Sequence, residues 1–252
     1  MLAKRLNQIM QILKKDGITT VAELARMCSV TEKTIRLDLD KLDSLGMITR
    51  VHGGALISNS YSEIYPMLAR KQKNMSEKQM IAKAALELIE DGDTIFLDAG
   101  STNLELAKLI QKNLIVVTND ADIAAELLNH PRVTMYCTGG LLQRNDTSNI
   151  FVGPDAVRMI ERYRTQKCFM GCSAINRQNG MMVFSSIEAE IKSEIVRASN
   201  KVICLADNSK FGKIAFTSFA PIDRVNVCIT DKGTMQSEID GFLKNGIEIV
   251  IA

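Results

Sequence analysis

Two groups of residues have the types and spacing for chemistry with phosphate. The first lies in "TEKTIRLDL", Thr31 to Leu39, where Lys33, Thr34 and Arg36 avoid the apolar stripe of Ile35 and Leu39. Cationic and hydroxyl side chains near the start of an amphipathic helix can reach base edges or phosphates in the major groove. The second lies in "TIFLDAGSTNLELAKLI", a β-like run that passes through Asp98-Ala-Gly-Ser-Thr102 into a helical pattern. Gly100 permits a tight turn. Ser101 and Thr102 add hydroxyls to amides that lack partners at a helix N-terminus, which suits a phosphate. An ordinary strand-to-helix turn with a Ser/Thr cap accounts for the same residues.

The elements around the first group follow from periodicity. Leu6, Ile9, Met10 and Leu13 keep helical spacing up to Asp16-Gly17. Thr20-Val-Ala-Glu23 is a capping box that opens a second helix, with Val21, Leu24, Ala25 and Cys28 as its buried stripe. After a turn at Ser29-Val30, Thr31 caps a third helix whose Ile35, Leu39, Leu42 and Leu45 face inward and which Gly46 ends. Asp38, Asp40 and Asp43 would repel phosphate and are expected to turn away or to bind the body of the domain. "MITRVHGGALIS" then reads as a two-stranded ribbon turning at Gly53-Gly54, with Arg50 and His52 placed for a phosphate or the minor groove. Three helices and a hairpin in this order make a winged helix-turn-helix, although helical pairs also occur in plain helical cores.

The second group belongs to a longer pattern. A polar stretch with Pro66 reads as a linker, and Ser76-Glu-Lys-Gln79 is a capping box for a helix ending near Gly92. Seven β-like runs then alternate with helical stretches: "TIFLDA", "LIVVTN", "VTMYCTG", "KCFMGCSAI", "KVICLAD", "VNVCITD" and "IEIVIA". The alternation predicts a mostly parallel sheet covered by helices. Ligands of such sheets bind beyond the carboxyl ends of strands, where Thr118-Asn119-Asp120, Gly139-Gly140 and Asp207-Asn208-Ser209-Lys210 also fall. "EAEIKSEIV" places Glu188 and Lys192 on one helix face, which a surface ion pair would equally explain. The expected division is a winged helix-turn-helix over 1–57, a linker over 58–75 and an α/β domain over 76–252.

Composition narrows the function classes. The chain has 252 residues, no Trp and only 12 Phe plus Tyr, so base-stacking platforms for single strands are not expected. Residues 1–60 carry 9 Lys/Arg against 6 Asp/Glu, a net +3, while the remaining residues carry 22 against 23, a net −1. A mildly basic head on a neutral body permits contact with nucleic acid. The six cysteines form no Cys-x-x-Cys, and His52 and His130 are the only histidines, so neither a zinc site nor any other metal or cofactor is expected. Reduced, buried thiols suit a cytoplasmic protein. No apolar run is long enough to span a membrane, and the first residues lack the pattern of a signal peptide.

"TIRLDLDKLDSLGMITRVHGGA" resembles the signature of the DeoR-type family of bacterial regulators of sugar metabolism. The resemblance continues along nearly the whole chain. It implies DNA contact by Thr34 and Arg36 in the third helix and by Arg50 and His52 in the wing. Leu37 stands where the family usually has a second Arg, and no DNA role is carried onto it. The resemblance also implies an effector domain of ribose-phosphate-isomerase-like fold. There "DAGST" looks like a phosphate loop, and the Glu/Lys and Asp-x-Ser-Lys motifs line a sugar site. That assigns effector roles to Asp98, Gly100, Ser101, Thr102, Glu188, Lys192, Asp207 and Lys210, with Gly139, Gly140 and Gly171 as points of backbone approach. Gln166 and Ala174 depart from the family's usual Asp and Gly. The implied function is an operator-binding homo-oligomer, a repressor released by a phosphorylated sugar. The alternatives are a sugar-phosphate isomerase-like enzyme with a DNA-binding head, or a module whose winged helix binds protein.

Overall fold

The structure, a computed structural model, describes residues 2–16, 18–44, 48–51, 54–57, 74–144 and 149–252. The chain forms two compact units, Met1–Ile64 and Tyr65–Ala252. Leu45, Gly46, His52, Gly53 and residues 58–73 of the expected linker lie outside the described residues.

The first unit holds α1 (Leu2–Asp16), β1 (Ile18–Thr20), α2 (Val21–Cys28), α3 (Glu32–Ser44), β2 (Ile48–Val51) and β3 (Gly54–Ile57). Ile9, Leu13, Leu24, Ile35, Leu39 and Leu42 are buried together, so all three helices turn their apolar stripes onto one small core. The Thr20–Glu23 capping box forms as its spacing predicts. The hairpin is not two-stranded: β1 pairs with β3, giving an antiparallel sheet of order β1-β3-β2. Gly54 makes this third strand possible, because a Cβ there would lie 2.4 Å from the Thr19 carbonyl oxygen.

The second unit opens with α4 (Met75–Leu86). Asn74 and Met75, expected in the linker, are the cap and first residue of this helix. The expected capping box does not form: Ser76 lies inside the helix, and Asn74 occupies the cap in the left-handed region with φ 54°. The helix also stops at Leu86, short of Gly92. Next come β4 (Thr94–Leu97), α5 (Ser101–Leu109), β5 (Leu114–Thr118), α6 (Ala121–Leu127), β6 (Val133–Cys137), β7 (Leu141–Arg144) and β8 (Asn149–Val152). They are followed by α7 (Pro154–Glu161), β9 (Thr165–Gly171), β10 (Ala174–Asn176), β11 (Gly180–Val183), α8 (Ser186–Arg197) and β12 (Ser199–Leu205). A 3₁₀ turn at Asn208–Lys210 leads to β13 (Thr217–Ala220), β14 (Val227–Thr230), α9 (Gln236–Lys244) and β15 (Glu248–Ile251).

All seven predicted runs supply a strand to one sheet of order β15-β14-β12-β9-β4-β5-β6, with every pairing parallel. Alternate residues face opposite sides. Phe96, Cys168 and Cys204 join a core with α7, α8 and α9, while Ile95, Phe169 and Ile203 join one with α4, α5 and α6. "KCFMGCSAI" is not one strand: β9 ends at Gly171, and β10 enters a separate antiparallel sheet, β10-β11-β13. The chain adds β5 and β6 to one side of β4, then returns to lay β9, β12, β14 and β15 on the other. The strand order therefore reverses between β4 and β9, and parallel α/β sheets bind their ligands beyond the carboxyl ends of strands at such a reversal.

Candidate functional site

In the first unit, Thr31 accepts the Thr34 amide at 3.2 Å and shares a 2.9 Å hydroxyl contact with Thr34, which fixes the start of α3. Lys33 and Arg36 are exposed beyond that cap, and Arg36 meets Glu32 at 2.7 Å. Of the three acidic residues, Asp38 and Asp40 are engaged by arginines, and Asp43 is exposed. Asp38 is buried and takes Arg5 of α1 on both oxygens, at 2.5 and 3.1 Å. Asp40 takes Arg50 at 2.7 Å, and Arg50 also donates to the Arg36 carbonyl at 3.4 Å. Arg50 therefore braces β2 against α3 as well as carrying charge into the ribbon.

In the second unit, the residues at the reversal of strand order come together. Asp98 follows β4, is fully buried, and accepts the Gly171 amide at 3.0 Å from the end of β9. Lys192, half-way along α8, is only 5% exposed; its ammonium meets Asp98 Oδ2 and the Gly171 carbonyl at 3.1 Å. The surface ion-pair explanation for this lysine is thereby overturned. Burial pushes the Asp98 carboxyl above the ordinary carboxylate range, against the opposing pull of Lys192 and of the Gly171 and Ala99 amides. Among the described residues, the buried acceptors Asp98 Oδ1 and Asn103 Oδ1 meet no donor.

Gly100 has φ 153° and ψ 156°, a conformation essentially reserved for glycine, and it turns the chain from β4 into α5. The amides of Ser101, Thr102 and Asn103 then head α5 with no intrahelical acceptor. The next strand end braces this loop: Asn119 accepts the Ala99 amide at 3.2 Å, and Asp120 the Gly100 amide at 3.1 Å. Thr118 is fully buried and donates to the Leu97 carbonyl at 2.8 Å, so it ties β5 to β4.

Asp207 follows β12, the neighbour of β9. Burial raises its carboxyl, but the Lys210 charge and hydrogen bonds from Ser209 and Asn74 prevail and hold it below the ordinary range. Glu188 lies in the first turn of α8, one turn before Lys192. Gly139 and Gly140 follow β6, two strands from β4, with φ 65° and 95°. A Cβ at Gly140 would lie 2.8 Å from the Val152 carbonyl, so this glycine is required by packing against β8.

Asn74 and Asn103 were not singled out by the sequence. Asn103 ties the loop to both strands through the Asp98 and Phe169 carbonyls, at 2.8 and 2.9 Å. Asn74 reaches Asp207 at 2.9 Å. The only signal for Asn103 was its place directly after Thr102. Burial holds the Cys168 thiol up to about 12, which leaves it protonated and unreactive. Among the described residues there is no cluster fit for a metal ion and no helix long and apolar enough to cross a membrane.

A helix-turn-helix with a β-ribbon, followed by a parallel α/β unit with polar residues at its strand reversal, is the arrangement of a transcription regulator with a sensor domain. Residues 5–61 match the DeoR-like helix-turn-helix domain, and residues 73–232 match the DeoR C terminal sensor domain. The chain belongs to the DeoR family of DNA-binding transcription regulators. It is 32% identical to a putative aga operon transcriptional repressor of Escherichia coli O157:H7, over 99% of this chain and 93% of that one. It is 36% identical to the uncharacterized HTH-type transcriptional regulator YulB of Bacillus subtilis, over 92% of this chain and 90% of that one. Such relatives are regulators rather than enzymes, which sets the isomerase alternative aside. The ribose 5-phosphate isomerase A of Methanocaldococcus jannaschii overlaps 56% of each chain at TM-score 0.41 and 14% identity.

Proposed function

We propose that this protein is a repressor of a carbohydrate-use operon that leaves its operator when a phosphorylated sugar binds the second unit. One observation carries the reading: the amides heading α5, which lack an intrahelical acceptor, lie at the same strand reversal as a buried Asp98–Lys192 pair. Helix-terminal amides suit a phosphate, and a fixed carboxylate beside an ammonium suits hydroxyl groups that both donate and accept. In this reading Ser101, Thr102 and Lys210 take the phosphate. Asp98, Lys192, Glu188 and Asp207 sort the hydroxyls, and Gly139, Gly140 and Gly171 admit the ligand to the backbone. Thr31, Lys33, Thr34, Arg36, Arg50 and His52 face the operator. Operator half-sites match a two-fold protein, so the working form is a homo-oligomer. The naming of one relative as an operon repressor supports the sign of control. Release requires that the effector bind the DNA-free state more tightly than the DNA-bound state.

The test is a DNA-release titration. Duplexes are selected from a random library with the full chain, and a panel of sugar phosphates is titrated against the best of them. The matching unphosphorylated sugars are run beside them. One phosphorylated sugar is expected to release the DNA while its free sugar does not. Equal release by the free sugar removes the phosphate from the mechanism, and failure to enrich any duplex removes the DNA reading.

A further inference from the structure

Leu37 is 64% exposed in the middle of α3. Single exposed leucines are common on protein surfaces, so exposure alone says little. Its angular position says more. An α-helix turns about 100° per residue, which places Ile35, Asp38, Leu39 and Leu42 on one side, and these four are buried. Leu37 falls close to the centre of the opposite side. Its neighbours one turn away on either side are Lys33 and Lys41, both exposed.

The charges around it deepen the contrast. Asp38 is drawn into the core by Arg5, and Asp40 is drawn to the ribbon by Arg50. The outward surface of α3 thus presents Lys33, Arg36 and Lys41 beside the exposed carboxylates of Glu32 and Asp40, each held by an arginine, with one branched hydrocarbon among them. A leucine cannot exchange hydrogen bonds with a base edge. The major groove offers one apolar group that it can match, the 5-methyl of thymine.

We propose that Leu37 is a specificity-determining residue, seated on a thymine methyl in the operator. The inference rests on α3 being the helix that enters the groove. It predicts a thymine, at one position of each half-site, that is read without a hydrogen bond.

The test replaces thymine by uracil, which removes the methyl and nothing else. The full chain first selects duplexes from a random library, and every thymine of the best duplex is then exchanged singly. Wild type is expected to lose about 4-fold in affinity at one position per half-site, the worth of one buried methyl-sized group. Leu37→Ala is expected to bind the thymine and uracil duplexes alike and to melt like wild type. Leu37→Arg, put through its own selection, is expected to exchange that thymine for guanine. A duplex with no methyl-sensitive position overturns the proposal. So does sensitivity that survives in Leu37→Ala. Failure to enrich any duplex defeats the DNA reading itself, and the proposal with it.

Discussion

Lys192→Met tests whether the Asp98–Lys192 pair is what the strand reversal is built around. Methionine follows the lysine stem and adapts to an irregular core, so the substitution removes chiefly the ammonium. Lys192 is 5% exposed and lies over the Phe219 ring, 5.5 Å from its centroid. Its loss leaves a fully buried carboxylate with the Gly171 and Ala99 amides but no cation. Breaking a buried ion pair from one side costs about 3–5 kcal/mol, because the remaining charge is uncompensated. At about 2–4 °C per kcal/mol for a unit of this size, melting should fall by roughly 6–20 °C.

The pH dependence gives the refutation. Burial already holds the folded Asp98 carboxyl above its unfolded value, and removing Lys192 pushes it higher still. Between those two values the folded chain keeps a proton that the unfolded chain has released. Stability is therefore lost as pH rises through the window, and the variant's window extends further up than that of wild type. The melting deficit of the second unit, followed by calorimetry on the full chain, should be small near pH 5 and large near pH 8. Asp98→Asn combined with Lys192→Met removes both charges and should recover most of the loss at about pH 8. A deficit of equal size at every pH, unrelieved by the double variant, would mean that Lys192 contributes packing rather than charge.

Arg36→Ala should weaken specific binding ~5–150-fold, the worth of one direct base contact of roughly 1–3 kcal/mol; unchanged affinity at fixed salt would place the reading helix elsewhere. Arg50→Ala should flatten the slope of log affinity against log salt by about 0.9, and Asp40→Asn, which releases Arg50 and deletes a negative charge, should tighten binding. If both variants weaken binding alike, Arg50 acts by holding the ribbon to α3 and not by meeting a phosphate. Lys210→Ala should keep operator affinity but lose release by the phosphorylated sugar, and a normal release curve would exclude Lys210 from the site.

The parallel sheet was legible because its strands are covered on both faces. Runs such as "VNVCITD" are then apolar nearly throughout, and the helices between them set the strand direction. The smaller antiparallel pieces were not. β7 and β8 are short and half-exposed, with Leu141 outward at 70%, so no continuous run announces them. β10 was hidden for a different reason: apolar character continues from Cys168 to Ile175, while the chain changes sheets at Gly171. β1 has only three residues and exists because Gly54 lets Thr19 approach.

The candidate site was legible where one local pattern suffices, as in Asp98 to Thr102, which turns the chain and heads a helix within five residues. It was not legible from spacing where the partner is tertiary. Helical spacing put Lys192 beside Glu188, but spacing reports only which residues share a face of α8. That face lies against the ends of β4 and β9, so the lysine is buried on Asp98, 94 positions away. Asn74 shows the same limit more sharply. As a polar residue near a helix start it read as part of a linker, yet its amide holds Asp207, the carboxylate that Lys210 also holds down.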